Sequence, residues 1–208
     1  MTERTSPTSV PDIVALVLAA GKGSRFDASG TRYKPVQALA DRTPMVYAVC
    51  HTLLQHIAHV TVVCGPQEQA VHSALGDLPV RTVHCTEAHQ GMSASLRCGV
   101  QSSPASVGWI IALSDMPFIR AETVSGVASR LRQGEQIIRP AYQGKPGHPV
   151  AFASKFRDQL LGITGDEGAR TIIRRHPDAL TVFTVNDPGC LIDIDTVEQL
   201  QRHGTGEQ

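Results

Sequence analysis

The chain has no excess of charge of either sign: nineteen Lys and Arg residues balance nineteen Asp and Glu. With no overall field to draw in polyanions, neither nucleic acid nor a membrane surface is expected as its main partner, and any anion site must be local. It also lacks a CxxC pair. Its five cysteines, Cys50, Cys64, Cys85, Cys98 and Cys190, are odd in number and widely spaced. That pattern argues against a disulfide scaffold or a zinc site and predicts reduced thiols in a cytoplasmic protein. No apolar run approaches the roughly 20 residues that span a bilayer. The opening MTERTSPTSVP has neither the basic start nor the apolar stretch of a secretion signal. It predicts a disordered tail over residues 1–11, with a second over 204–208. Two standard phosphate-binding strings are missing as well: G-x-x-x-x-G-K-[ST] is absent, and the glycine string opening at Gly21 lacks the third glycine of the dinucleotide fingerprint.

What is there has the makings of one soluble globular domain over residues 12–203: 208 residues in all, 41% hydrophobic and 18% charged. Apolar runs predict buried strands at Ile13–Leu18, Val60–Cys64, Val80–His84, Trp109–Leu113, Ile137–Arg139, Val150–Ala153 and Leu180–Thr184. Helices are predicted between them. Thr43-Pro44 reads as N-cap and first-turn proline of a helix carrying Met45, Val49, Leu53 and Leu54. Others are expected at Gln67–Leu75, Met92–Val100, Ala121–Arg132, Glu167–Arg175 and Thr196–Arg202. Strand alternating with helix predicts right-handed βαβ units and a largely parallel sheet covered on both faces. After Ile138 a Gly/Pro-rich turn and another strand precede the next helix, predicting an antiparallel excursion near the sheet edge.

Ligands gather outside the carboxyl ends of strands in such folds, and the polar motifs fall there. The first is LAAGKGSRFDASGTRYK, Leu18 to Lys34, directly after the first strand. Its glycines let backbone amides approach phosphate oxygens. Arg25 can fork onto two such oxygens while Lys34 supplies a point charge. An ordinary solvated turn is the alternative. The second is SDMP, where Asp115 leaves the end of an apolar strand, able to hold a hard divalent cation through oxygen or to cap a following helix. The third is CLIDIDTVEQL, with Asp193 and Asp195 on one face if that stretch is extended. There too, Asp195 could simply cap the helix at Thr196. Together the three suggest nucleotidyl transfer, which relies on positioning and electrostatics rather than a serine or cysteine nucleophile.

The strings LAAGKGSRF with Lys34, QGMSASLRCGV, SDMP, GHPVAF, GDEGAR and DIDTVEQL occur in this order. In them the chain resembles the MobA-like nucleotidyltransferases of the molybdenum cofactor pathway, and most of all the molybdenum cofactor cytidylyltransferases, from Ile13 to Leu200. The resemblance implies a Rossmann-like, three-layer α/β/α nucleotidyltransferase with a mostly parallel mixed sheet. It implies transfer of CMP from CTP to a molybdopterin-type cofactor with release of pyrophosphate and the help of Mg2+. Arg25, Lys34 and Asp115 would be catalytic, with Asp115 and either Asp193 or Asp195 as metal ligands. Leu18, Ala19, Ala20, Gly21, Gly23, Ser24, Arg25, Lys34, Gly91 and Ser95 would bind the nucleotide. Ala19-Ala20-Gly21 resembles the cytidylyl-transferring pattern, whereas guanylyl-transferring relatives usually show adjacent glycines. Gly91 and Ser95 resemble positions that approach the base, though a serine in a helix can equally bond its own backbone.

His148, Asp166 and Arg170 resemble the acceptor side. A structural turn histidine, and an Arg170 paired with Glu167, are the alternatives there. A molybdoenzyme or its maturation factor is the implied recipient. The sequence departs from the family pattern in a longer Arg25-to-Lys34 spacing, in Phe26 where methionine is usual, and in Ser114 where glycine is common. These departures bear on the acceptor, and three other readings follow: a cytidylyl- or uridylyltransferase acting on a sugar or alcohol phosphate, a non-catalytic cofactor carrier, and a nicotinamide-dependent reductase, disfavoured by the missing fingerprint. His56 and His59 are expected to be surface or packing residues, and Trp109 to be core.

Overall fold

The computed structural model describes residues 10, 12–21, 23, 25–27, 32–165 and 168–204. Ser24, Asp166 and Glu167, and most of both expected tails, lie outside them. Eight strands form one sheet: β1 (Ile13–Ala19), β2 (His59–Cys64), β3 (Arg81–His84), β4 (Gly108–Leu113), β5 (Ile137–Tyr142), β6 (Lys145–Pro146), β7 (Val150–Ala153) and β8 (Leu180–Thr184). Seven helices accompany them among the described residues: α1 (Met45–Leu54), α2 (Glu68–Leu75), α3 (Met92–Ser102), α4 (Ala121–Arg132), α5 (Arg157–Leu161), α6 (Arg170–Arg175) and α7 (Val197–Gly204).

The strand order β3-β2-β1-β4-β7-β5, with β8 beyond β5 and the short β6 beside it, is a Rossmann-like, mostly parallel mixed sheet. β1 carries the period-2 pattern of a strand buried on both faces. Ile13, Ala15, Val17 and Ala19 face a core built with α1, α2 and α4. Val14, Leu16 and Leu18 face the opposite core, built with α3, α5 and α6. β1 pairs in parallel with β2 on one side and β4 on the other. The strand order therefore reverses at β1, and a crevice opens beyond the carboxyl ends of β1 and β4.

Several expectations are corrected. The antiparallel excursion is only partly at the edge: the short β6, antiparallel to β5, lies there, but β7 is inserted between β4 and β5, antiparallel to both. β8, parallel to β5, takes the edge beyond it. Gly108 fits this inner position because a Cβ there would overlap the Phe152 carbonyl of β7. Thr43 does not cap α1. Pro44 occupies the N-cap position, and the first free amide of the helix, Met45 N–H, donates to the Gln37 carbonyl at 3.0 Å instead. α6 begins at Arg170 rather than Glu167, since Gly168 at φ 56° cannot be part of a helix. The short helix α5 has no counterpart in the sequence reading. The remaining expected elements agree to within a few residues. Trp109 is fully buried with its indole N–H on the Ser103 carbonyl at 2.7 Å, His56 and His59 are exposed, and all five cysteines are free. No helix among the described residues is long and apolar enough to cross a membrane.

Candidate active site

At the carboxyl end of β1 the chain runs from the buried Leu18, Ala19 and Ala20 to the exposed Gly21. Gly23 adopts φ 60°, in the left-handed region, and its carbonyl accepts the amides of Phe26 at 2.8 Å and Asp27 at 3.0 Å. That turn brings the loop back onto Lys34: a Cβ on Gly23 would stand 3.1 Å from Lys34 Cβ. Tyr33 is buried and donates its hydroxyl to the Ala19 carbonyl, which fixes the residue next to Lys34 against the strand end. Lys34 opens a short 3-10 turn with Pro35, and its side chain is only 10% exposed.

Four charged groups meet there. Lys34 Nζ lies 2.7 Å from Asp115 Oδ2 and 2.8 Å from Asp195 Oδ1. Arg25 Nη1 lies 2.5 Å from Asp195 Oδ2, on a side chain that is 81% exposed and therefore free to turn toward a ligand. Burial opposes ionisation of Asp195, but the hydrogen bond and charge of Lys34 and the charge of Arg25 outweigh it. Its carboxyl is held below the ordinary value. The two cations and two carboxylates balance one another locally.

Neither aspartate caps a helix. Asp187 does that work for α4: its Oδ2 accepts the Arg120 amide at 2.9 Å and the Thr123 hydroxyl at 2.6 Å. At α7, Thr196 Oγ1 accepts the Gln199 amide at 3.2 Å, while Gln199 Oε1 accepts the amides of Asp195 at 2.6 Å and Thr196 at 2.9 Å. This reciprocal cap fixes the Asp195 backbone and leaves its carboxylate for the cations. Asp193, by contrast, is exposed and takes no part in the cluster. The buried Ile194 between them donates its amide to the Asp115 carbonyl at 2.9 Å, joining the two acidic segments.

The residues present fit a divalent cation held jointly with a ligand. Asp115 Oδ1 is buried and has no hydrogen-bond partner among the described residues, leaving a carboxylate oxygen for a cation. Yet no three His, Cys, Asp or Glu side chains converge among the described residues, so phosphate oxygens would have to complete the coordination.

Gly91 (φ 105°) takes the N-cap position of α3, with Ser93 and Ser95 buried in the helix's first turns. Ser93 Oγ also lacks a partner among the described residues, although sequence reading singled out only Gly91 and Ser95. Further along, His148 and Arg170 line one small open cleft between the sheet, α3 and α6, together with Leu18 and Leu113 from the ends of β1 and β4. Arg139 of β5 lines it too and was not foreseen. The signal available was an arginine in an otherwise apolar strand, IIRPAY, just before GHP.

The MobA-like NTP transferase domain profile matches residues 15–180. The chain belongs to this family. Among its relatives, the nicotine blue oxidoreductase of Paenarthrobacter nicotinovorans is 29% identical over 94% of this chain and 98% of its own length. The molybdenum cofactor guanylyltransferase of Cupriavidus pinatubonensis is 23% identical over 94% and 98%. Among solved structures, Rv0371c of Mycobacterium tuberculosis superposes with a TM-score of 0.79 at 23% identity, covering 95% of this chain and all of that one, a likeness of fold. The family makes this a nucleotidyltransferase-type domain, and the solved structure agrees with its fold.

Proposed function

We propose that the protein transfers CMP from CTP to a molybdopterin-type cofactor, releasing pyrophosphate. The observation that carries this reading is the meeting of Arg25, Lys34, Asp115 and Asp195 at the crevice beyond β1 and β4. An oxygen of the acceptor phosphate attacks the α-phosphorus of CTP, the bond to the bridging oxygen of the β-phosphate breaks, and pyrophosphate leaves. Arg25, exposed and mobile about its long side chain, binds triphosphate oxygens and leaves Asp195 to do so. Lys34, buried and fixed between two carboxylates, meets the negative charge that builds at the α-phosphorus and the departing oxygen. Asp115 and Asp195 would hold a Mg2+ ion, which supplies Lewis-acid neutralisation of the phosphates.

Backbone around Ala19, Ala20 and Gly21, with Gly91, Ser93 and Ser95 at the start of α3, forms the base site. Close approach of backbone from both segments would suit a pyrimidine better than a larger purine. Gly65 packs close by, where a Cβ would come within 3.2 Å of the Ala20 carbonyl and narrow the crevice. His148 and Arg170 bind the acceptor across the cleft. The sequence likeness to the molybdenum cofactor guanylyltransferase supports the acceptor class, and Ala20 in place of a second glycine supports the change of base.

A second reading has one observation behind it: the relative at 29% identity is named an oxidoreductase. One experiment separates the two. Purified protein is incubated with each nucleoside triphosphate and Mg2+, with molybdopterin, with a sugar phosphate or with neither, and pyrophosphate is followed. A parallel arm follows NADH or NADPH oxidation in the presence of nicotine blue. Pyrophosphate only with CTP and molybdopterin is the expected result. Release with GTP instead overturns the base assignment, release with a sugar phosphate overturns the acceptor, and nicotinamide oxidation without any pyrophosphate replaces transfer by reduction.

A further inference from the structure

We propose that Arg139 and Arg170 form a two-guanidinium subsite in the cleft between the sheet, α3 and α6, taking a phosphate or carboxylate group carried on an apolar body. The proposal rests on the nucleotidyl-transfer reading only in naming that body as part of the acceptor, at a group distinct from the reacting phosphate. The cleft itself is independent of it.

The two arginines reach the cleft from elements far apart in the chain. Arg139, on β5, is half-buried and fixed: Nε donates to the Gly147 carbonyl at 3.2 Å and Nη2 to the Pro146 carbonyl at 3.1 Å. These bonds use two of the five guanidinium N–H groups and hold its plane in place, leaving the rest of the fork available. Gly147 is bound to its place in turn, since a Cβ there would overlap the Cys190 carbonyl. Arg170, at the start of α6, is exposed on the other side of the cleft. Burial and the charge of Arg170 both disfavour the charged form of Arg139, so the two cations feel one another. No carboxylate among the described residues lines the cleft or pairs with either arginine. Two like charges facing one space, with no counter-ion among the described residues, make an anion the complementary occupant.

The remainder of the lining says what carries the anion. Met92, Ile111 and Phe152 are among the apolar walls. His148 lines the same cleft, and burial together with the charges of Arg139 and Arg170 lowers its pKa to about 4, so the ring is neutral at physiological pH. It is hydrogen-bonded to the Ile111 backbone, and its Nδ1 is buried with no partner among the described residues. A neutral ring that donates to a carbonyl through one nitrogen offers the other as an acceptor. The occupant is therefore an apolar ring system with a remote anionic group and an N–H or O–H facing His148.

Fluorescence titration with 1-naphthyl phosphate, 1-naphthoate, 1-naphthol and inorganic phosphate tests this on the whole protein. Naphthyl phosphate or naphthoate is expected to bind at least about tenfold more tightly than naphthol or phosphate alone, and their order tells which anion the arginines prefer. Arg139→Gln and Arg170→Gln are each expected to weaken that binding about tenfold, the scale of one charge-assisted contact. Arg170 is exposed, so its substitution tests the subsite even if Arg139→Gln fails to fold. Binding of CTP with Mg2+ is measured on the same samples by calorimetry. Equal affinity of wild type and both variants for the naphthyl anions, or no saturable binding to wild type, overturns the subsite. Wild-type protein that binds no nucleoside triphosphate yet loses naphthyl phosphate on Arg170→Gln overturns the transfer reading and leaves the subsite standing.

Discussion

Lys34 Nζ and Asp195 Oδ1 stand 2.8 Å apart although 161 residues separate them in the chain. A small third core explains how they meet. Phe26, Met45 and Ile194 are buried together, with Leu39, Phe118 and Val197 packed around them. Phe26 follows Arg25 directly and Ile194 precedes Asp195, so burying this apolar pair brings the charges beside them into contact. The Ile194 amide then adds Asp115 through its carbonyl. Apolar burial thus places the polar cluster, and each aspartate retains an oxygen for a further ligand or for Arg25.

Replacing Lys34 with Gln tests the balance within the cluster. The change leaves Asp115 and Asp195 facing one another without their shared cation. Both carboxylates are about a fifth exposed, at 22% and 21%, so solvent screens part of the cost. Thermal or urea unfolding is expected to show a loss of about 1–2 kcal/mol, below the range for a fully buried broken pair. Affinity for CTP with Mg2+ falls about tenfold or more. Undiminished nucleotide affinity would remove Lys34 from the triphosphate site.

Asp115→Asn keeps the shape of the side chain while removing its charge. Its Oδ1 has no hydrogen-bond partner among the described residues, and Lys34 keeps Asp195 as its ion-pair partner, so the fold is expected to survive, with an unfolding midpoint within a few degrees of wild type. Pyrophosphate release is expected to fall by about 100-fold or more, the scale of losing one preorganised electrostatic group. Wild-type turnover in this variant would refute the assignment.

Much of this was legible in the sequence, and for identifiable reasons. β1 and β4 read as apolar runs because both their faces are covered, and the loops after them carry Arg25, Lys34 and Asp115 in short strings. The choice between Asp193 and Asp195 was not legible. Both flank the buried Ile194, and only the Thr196–Gln199 cap and the reach of Lys34 separate them. The inner position of β7 was hidden as well, because Val150–Ala153 has the same apolar pattern in the middle of a sheet as near an edge. Arg139 was missed because a strand residue reveals its cleft only once α6 is packed across from it.

His148 gives the folded state a distinct pH dependence. Burial and the charges of Arg139 and Arg170 depress its pKa to about 4 in the fold, against an unfolded value of about 6.5. The unfolded chain therefore binds the proton first. The stability that His148 contributes is complete above about pH 6.5 and is lost as pH falls through about 4. Urea unfolding at intervals from pH 8 to 4 is expected to show this decline, and His148→Asn to flatten it. A histidine with no depression in the fold would leave the two profiles parallel.

Ile194→Ala asks whether the third core positions the site or merely fills space. Ile194 is fully buried, so truncation is expected to cost about 2–5 kcal/mol in unfolding free energy. Ile194→Val, which keeps most of the apolar volume, costs about 0.5–1.5 kcal/mol. If the core sets the distance from Asp195 to Lys34 and Arg25, the Ala variant also raises the KM for CTP several-fold at a temperature where it is fully folded, while the Val variant stays near wild type. The comparison works because Ile194 touches no ligand in this arrangement: its side chain is enclosed with Phe26 and Met45, and only its neighbour Asp195 faces the crevice. Lost stability with an unchanged KM would mean that the Thr196–Gln199 cap alone holds Asp195, and that the apolar cluster supports the fold without aiming the carboxylate.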